Sequence, residues 1–191
     1  MIRIAVIGDI GSGKSYVAKQ FGYPVFNADA AVMQLYKKNK KCFFKLKKAL
    51  PSFVTSFPIN KNSLNAAIIA DKKNLKKINK IVHPEIKIKM NNFVKRNRKK
   101  KIVVLDIPLL MENKINKNND ILIFVDANKK EIYKRLKKRP RFNLKIVRKL
   151  KKLQLPIETK KRKSDFIIKN NFKNKSIKKS VKIIKKILLN D

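Results

Sequence analysis

The chain has little of what usually staples a small fold or builds a metal centre. Among 191 residues there is one cysteine, Cys42, and one histidine, His83, which excludes an intrachain disulfide and a structural zinc site of Cys and His ligands. Tryptophan is absent, glycine occurs only four times, and acidic residues number 12 against 51 Lys and Arg. No apolar run approaches a membrane span: the longest, Ile102–Met111, has Asp106 inside it. The apolar start, Met1–Ile7, meets Gly8 too early for a secretory h-region. These absences lead us to expect a cytoplasmic protein with no membrane partner.

A composition 43% apolar excludes a disordered chain, and this length supports one domain with its own core. The formal charge of +39 is the loudest feature. Lysine (43), isoleucine (25) and asparagine (20) make up nearly half the chain, and all three have AT-rich codons. A nucleotide bias that fills permissive surface positions with lysine accounts for the charge. The lysines run the whole length, which fits a solvated surface better than a dedicated patch. Nonspecific polyanion binding is expected, and specific nucleic-acid recognition is not. The informative residues are those that resist the bias: Gly, Asp, Arg and Pro.

Apolar strand-like runs alternate with polar helical stretches, the pattern of an α/β domain with a mainly parallel sheet. Strands are expected at 2–7, 24–27, 102–106, 121–125 and 165–168. Helices are expected at 14–22, from Asp29 to about Leu50 with a break near Asn39, at 61–81, from Pro84 to about Arg98, and at 128–138. The segment 139–163 is basic, weakly patterned and interrupted by Pro140 and Pro156, and reads as a mobile excursion. The tail from Lys173 puts Ile177, Val181, Ile184 and Leu188 on one helical face, which suits a terminal helix packed on its own core.

Gly8-Asp9-Ile10-Gly11-Ser12-Gly13-Lys14-Ser15 satisfies G-x-x-x-x-G-K-[ST] between an apolar strand and a helix, where a phosphate-binding loop belongs. Three of the four glycines fall here, so Gly8, Gly11, Ser12 and Gly13 supply a curled backbone whose N–H groups face a polyphosphate. Lys14 is expected at the β- and γ-phosphates of a nucleoside triphosphate and Ser15 at Mg²⁺. No guanine-reading N-K-x-D is present, and the length leaves no room for a motor, so a small-molecule kinase fits best.

Asp29 follows the second strand, whose carboxyl end lies on the ligand side of such a sheet, and is a candidate general base. A helix N-cap for a stretch beginning at Ala30 is its structural alternative. Asp106 ends the third strand at a position suited to Mg²⁺ or its waters. Asp126 also ends a strand but suits a turn or cap. Arg135, Arg139 and Arg141 place three of the eight arginines within seven positions, and the first two share a helical face. Planar, permanently charged donors suit phosphoryl transfer better than lysine does.

Together these motifs resemble the dephospho-CoA kinase family over nearly the whole chain. The resemblance rests on Ile7–Ser15, on Ala28-Asp29 of a D-A-D motif, on Val82-His83-Pro84 and on Pro108-Leu109-Leu110-Met111-Glu112 of P-L-L-x-E. It continues through Arg135 and Arg139 of R-x-x-x-R, Gln154-Leu155-Pro156, and Ser164–Ile168 with Asn170. It implies a P-loop nucleotide-kinase-like fold, a five-stranded parallel sheet flanked by helices, in one domain: core 1–29, 99–138 and 164–191, a helical acceptor-binding region 30–98, and a lid 139–163. It implies ATP as donor, Mg²⁺, and phosphorylation of the ribose 3′-hydroxyl of dephospho-CoA. Asp29 matches the base, and Lys14, Arg135 and Arg139 match the groups around the transferring phosphoryl. Tyr16 and Asn170 fall at the nucleotide, and His83, Pro108, Leu109 and Glu112 at the acceptor. Asn27 replaces the first Asp of D-A-D, Tyr16 replaces Thr, Lys61 stands where an arginine is common, Lys160 replaces a basic lid partner, and Phe172 stands where Gly is common. The residues alone leave open a shikimate- or nucleoside monophosphate-type kinase, or a nucleotide-regulated nucleic-acid binder.

Overall fold

The computed structural model describes residues 1–140 and 142–190; Arg141, the third arginine of the basic cluster, lies outside the described residues. The chain forms two compact units, one of Met1–Asn27 with the described part of Asn97–Asp191, the other of Ala28–Arg96.

The first unit is built on β1 (Ile2–Gly8), β2 (Val25–Asn27), β3 (Ile102–Asp106), β4 (Ile121–Ala127) and β5 (Phe166–Asn170). They form one parallel sheet in the order β2-β3-β1-β4-β5. Continuous apolar runs in β1, β3 and β4 are what strands buried on both faces require, and Ile102 to Leu105 are fully buried. Helices α1 (Lys14–Gln20) and α9 (Asn174–Leu189) cover the face carrying Ile4, Val6, Ile123 and Val125. Ile177, Val181 and Ile184 of α9 are buried there, each contributing about 1.5–3 kcal/mol, so the lysine-rich tail is held to the core by its apolar stripe as its spacing predicts.

Three further helices complete this unit: α6 (Lys129–Lys137), α7 (Leu144–Lys151) and α8 (Ile157–Arg162). The last two fall in 139–163, where the sequence shows only weak patterning. The helices form there because the Asn143 side chain accepts from Ile146 N and caps α7, while Leu144, Val147 and Leu150 share one half-buried face. Dense lysine hides that face from a periodicity reading.

The second unit is helical: α2 (Ala28–Lys38), α3 (Lys40–Ala49), α4 (Lys61–Ala70) and α5 (Lys72–Arg96). The break at Asn39 occurs where expected, with the Asn39 side chain accepting from Cys42 N at 2.7 Å. Two other boundaries differ from expectation. The helix expected over 61–81 stops at Asp71, which turns extended and accepts from Lys73 N at 2.8 Å to start a new helix. The helix expected to open at Pro84 instead runs straight through it. Proline there removes one backbone donor, but Ile78, Val82, Ile86 and Met90 form an unbroken buried stripe, and that packing outweighs the lost bond. Among the described residues no helix is long and apolar enough to cross a membrane.

Candidate active site

The sheet order puts β3 and β4 on either side of β1, so the chain leaves the carboxyl ends of β1 and β3 toward different places and opens a crevice between them. The loop Gly8–Ser15 fills the end of β1. A side chain at Gly8 would meet the Val125 carbonyl oxygen at 2.7 Å and Ser12 Oγ at 2.8 Å. Gly13, at φ 92°, caps α1 with no side-chain bond, and a Cβ there would collide with the Asn170 amide. Among the described residues no side-chain hydrogen bond caps α1, and a helix amino end turns N–H groups and the positive end of its dipole toward an anion. Among the described residues Ser12 Oγ is buried without a hydrogen-bond partner, a further polar group suited to a phosphate oxygen. Lys14 folds back on the loop, its Nζ donating to Asp9 O at 2.7 Å and Gly8 O at 3.3 Å. Ser15 is exposed.

Asp106 lies at the end of β3, 3% exposed, and its Oδ2 accepts from Asn27 Nδ2 at 2.6 Å. The amide of Asn27, a departure from D-A-D, thus orients Asp106 through a bond that a second ionised carboxylate could not donate. Beyond β3, Pro108, Leu109 and Glu112 line one crevice with Gly8, Lys14 and Lys160. The structure brings these expected acceptor residues to the phosphate loop. Leu109 holds φ 57°, a left-handed conformation that costs a β-carbon residue about 1–2 kcal/mol, and the strap is fixed from its far end by Glu112. Glu112 Oε1 meets Lys160 Nζ at 2.6 Å and accepts from Leu155 N at 3.0 Å, with both side chains nearly fully buried. Lys160, which stands at a lid position in the sequence, is therefore a structural partner of P-L-L-x-E.

Asn170, expected at the adenine of the nucleotide, commits its amide to the loop: Nδ2 donates to Ser12 O at 2.7 Å and Oδ1 accepts from Phe172 N at 2.7 Å. Phe172 sits at φ 62°, which explains why glycine suits this position. Its ring carries the Arg135 guanidinium 4.4 Å from the centroid, a cation–π contact at the rim of the loop near Gly13. Arg139 is exposed just past α6, and Tyr16 packs its ring against the core. Asp126 pairs with Lys161 at 3.2 Å, a strand-end tie to α8.

In the helical unit, Asp29 is exposed in the first turn of α2, which begins at Ala28 and not Ala30. It is inside the helix, not its N-cap, and its charge suits the helix amino end. His83 is half-buried in the middle of α5, and burial lowers its pKa below the ordinary 6.5. Burial, reinforced by Glu85, pushes the Cys42 thiol up to about 11. Among the described residues no cluster of three or more His, Cys, Asp or Glu side chains is suited to a metal; the two residues expected at Mg²⁺, Ser15 and Asp106, carry a hydroxyl and a carboxylate, hard ligands of the kind magnesium takes alongside phosphates and water.

Known proteins agree with this geometry. The family model for dephospho-CoA kinase matches residues 2–176. The dephospho-CoA kinase of Wolbachia pipientis wMel is 34% identical over 190 residues, 95% of each chain. That of Bartonella quintana (strain Toulouse) is 38% identical over 170 residues, 86% of this chain and 87% of its own. The crystal structure of TT1252 from Thermus thermophilus superposes with a TM-score of 0.78 at 27% identity, covering 96% of this chain and 95% of that one. With the phosphate loop, the P-L-L-x-E strap and the five-stranded order all in place, the chain belongs to the dephospho-CoA kinase family.

Proposed function

We propose that this chain carries out the dephospho-CoA kinase reaction, the last step of coenzyme A synthesis, with its own residues in the following roles. The γ-phosphoryl of ATP passes to the ribose 3′-hydroxyl of dephospho-CoA. The observation that carries the reading is the single crevice in which Gly8 and Lys14 face Pro108, Leu109 and Glu112: a polyphosphate cradle and an acceptor strap in one place.

The loop N–H groups, with Ser12 and the amino end of α1, hold the β- and γ-phosphates. Lys14 leaves the Asp9 and Gly8 carbonyls for the phosphates, exchanging two neutral acceptors for charged ones. Asp29 accepts the 3′-hydroxyl proton; supporting this are its exposed carboxylate, its match to D-A-D, and its place two residues beyond Asn27 in the chain. Arg135 and Arg139 neutralise charge as it spreads over the transferring group. Ser15 and Asp106 would hold Mg²⁺, which when bound would supply positive charge to the polyphosphate. Tyr16 supports the loop from the core side, and Asn170 holds Ser12. Pro108, Leu109, Glu112 and His83 serve the acceptor. In this reading the helical region 30–98 binds acceptor and 139–163 acts as lid over the core.

Asp29→Asn tests the assignment of the base. Turnover is expected to fall roughly 10²- to 10⁴-fold with ATP binding little changed. A variant that loses only thermal stability and keeps turnover would show that Asp29 serves the helix end alone.

A further inference from the structure

Asp9 is a carboxylate inside a loop built to bind anions. Its side chain is 9% exposed, and among the described residues it makes two polar contacts. Oδ1 accepts from Ile10 N at 2.6 Å, and Oδ2 pairs with Lys151 Nζ at 3.1 Å. Lys151 comes from the last turn of α7, a helix with no fully buried residue, and its ammonium-bearing side chain is 44% exposed. Lys14 reaches the backbone oxygen of the same Asp9, so the two lysines approach one residue from its main-chain and side-chain oxygens.

A negative charge at this place opposes the polyphosphate that the loop receives. The opposition is strong because the carboxylate is largely removed from water, where charges are poorly screened. Lysine is so abundant in this chain that the position of Lys151 carries no signal in the sequence; only the geometry singles it out. We propose that Lys151 is a positioning residue for the donor nucleotide: it neutralises Asp9 within the phosphate loop and ties α7 to that loop, so that affinity for the donor depends on the pair. The inference rests on the reading of Gly8–Ser15 as the ATP site and deepens it. It assigns to one named lysine of the 139–163 segment an effect on donor binding that acts through Asp9, without contact with the reacting atoms.

The test is a double-mutant cycle on the full chain, read as the ATP dissociation constant by calorimetry and as KM and kcat with dephospho-CoA. Circular dichroism confirms the fold of each variant. Lys151→Met should weaken ATP binding at least about tenfold by leaving Asp9 uncompensated, raising KM for ATP more than it lowers kcat. Lys151→Arg should restore most of the affinity. Asp9→Asn keeps the acceptor for Ile10 N, removes the charge, and should tighten ATP binding about threefold or more. The two changes together should lie within about threefold of the wild type, because they remove one negative and one positive charge from the same place and leave the net charge there unchanged. Lys152→Met, an exposed neighbour, reports the diffuse field and should have little effect. A double variant as weak as Lys151→Met alone would overturn the proposal, as would equal losses at Lys151 and Lys152. Lys14→Ala distinguishes the underlying reading: if it leaves ATP binding intact, the loop is not the ATP site and the inference falls with it.

Discussion

Arg135 is the residue whose surroundings most sharpen its role. Its guanidinium lies 4.4 Å from the centre of the Phe172 ring, and Phe172 sits in a left-handed conformation two residues after the Asn170 that pins Ser12. A planar cation gains from such a ring and from a transferring phosphoryl in ways that an ammonium does not. Arg135→Lys should therefore lower turnover at least about tenfold, equivalent to roughly 1.4 kcal/mol of transition-state stabilisation, with a smaller loss of ATP affinity. Arg148→Lys on the exposed side of α7 is the comparison, and steady-state kinetics of both variants decide the matter: equal, negligible effects would reduce Arg135 to part of a basic surface. Glu112 and Lys160 make a second prediction at this scale. Both are nearly fully buried, and removing one partner of such a pair costs about 3–5 kcal/mol. Glu112→Gln should lower the urea midpoint clearly, and more than Glu112→Leu combined with Lys160→Met. An unchanged midpoint for Glu112→Gln would show that the pair does not hold the strap.

Between residues and the whole lie the elements, and their legibility in the sequence follows from what decides each boundary. The strands were readable because burial on two faces demands unbroken apolar runs, and a glycine or aspartate ends β1 and β3. The break at Asp71 and the passage through Pro84 were not, because both depend on the packing of α5 against its neighbours, where an apolar stripe overrides local preference. Helix α7 was hidden by lysines among its apolar positions, and α8 by a lysine, Lys160, at its buried position. Asparagine, numerous for compositional reasons, turned out to cap α3, α4, α6 and α7 through its side chain, so an unselected abundance still does structural duty. Within α5, burial holds the His83 pKa below 6.5. The native state therefore resists a proton that the unfolded chain takes up. This contribution to stability is complete above pH 6.5 and is lost as pH falls below it. Urea denaturation should show a larger loss of stability between about pH 7.5 and about pH 5.5 for the wild type than for His83→Gln; equal losses would contradict a neutral, partly buried imidazole.

For the molecule as a whole, the +39 charge and the kinase site are separable. The lysines surround a fold whose phosphate loop and P-L-L-x-E strap were legible from the few residues the composition does not favour, whereas the order of its strands was not read from the sequence. Lysine makes specific contacts at Lys14, Lys160 and Lys151; the motif around Lys14 and the lid position of Lys160 drew attention in the sequence, and Lys151 did not. A polyanion is expected to bind such a surface at low salt and release at high salt, whereas turnover in the proposed reading depends on the crevice. The measurement that bears most directly on this account is ADP release by the purified full chain with ATP and Mg²⁺, offered dephospho-CoA, shikimate and a set of nucleoside monophosphates in turn, with the phosphorylated product identified by mass spectrometry. The account predicts release that requires dephospho-CoA and yields coenzyme A, and that disappears in Lys14→Ala. Comparable turnover with shikimate or a nucleoside monophosphate, or no turnover with dephospho-CoA from a folded wild-type chain, would contradict it.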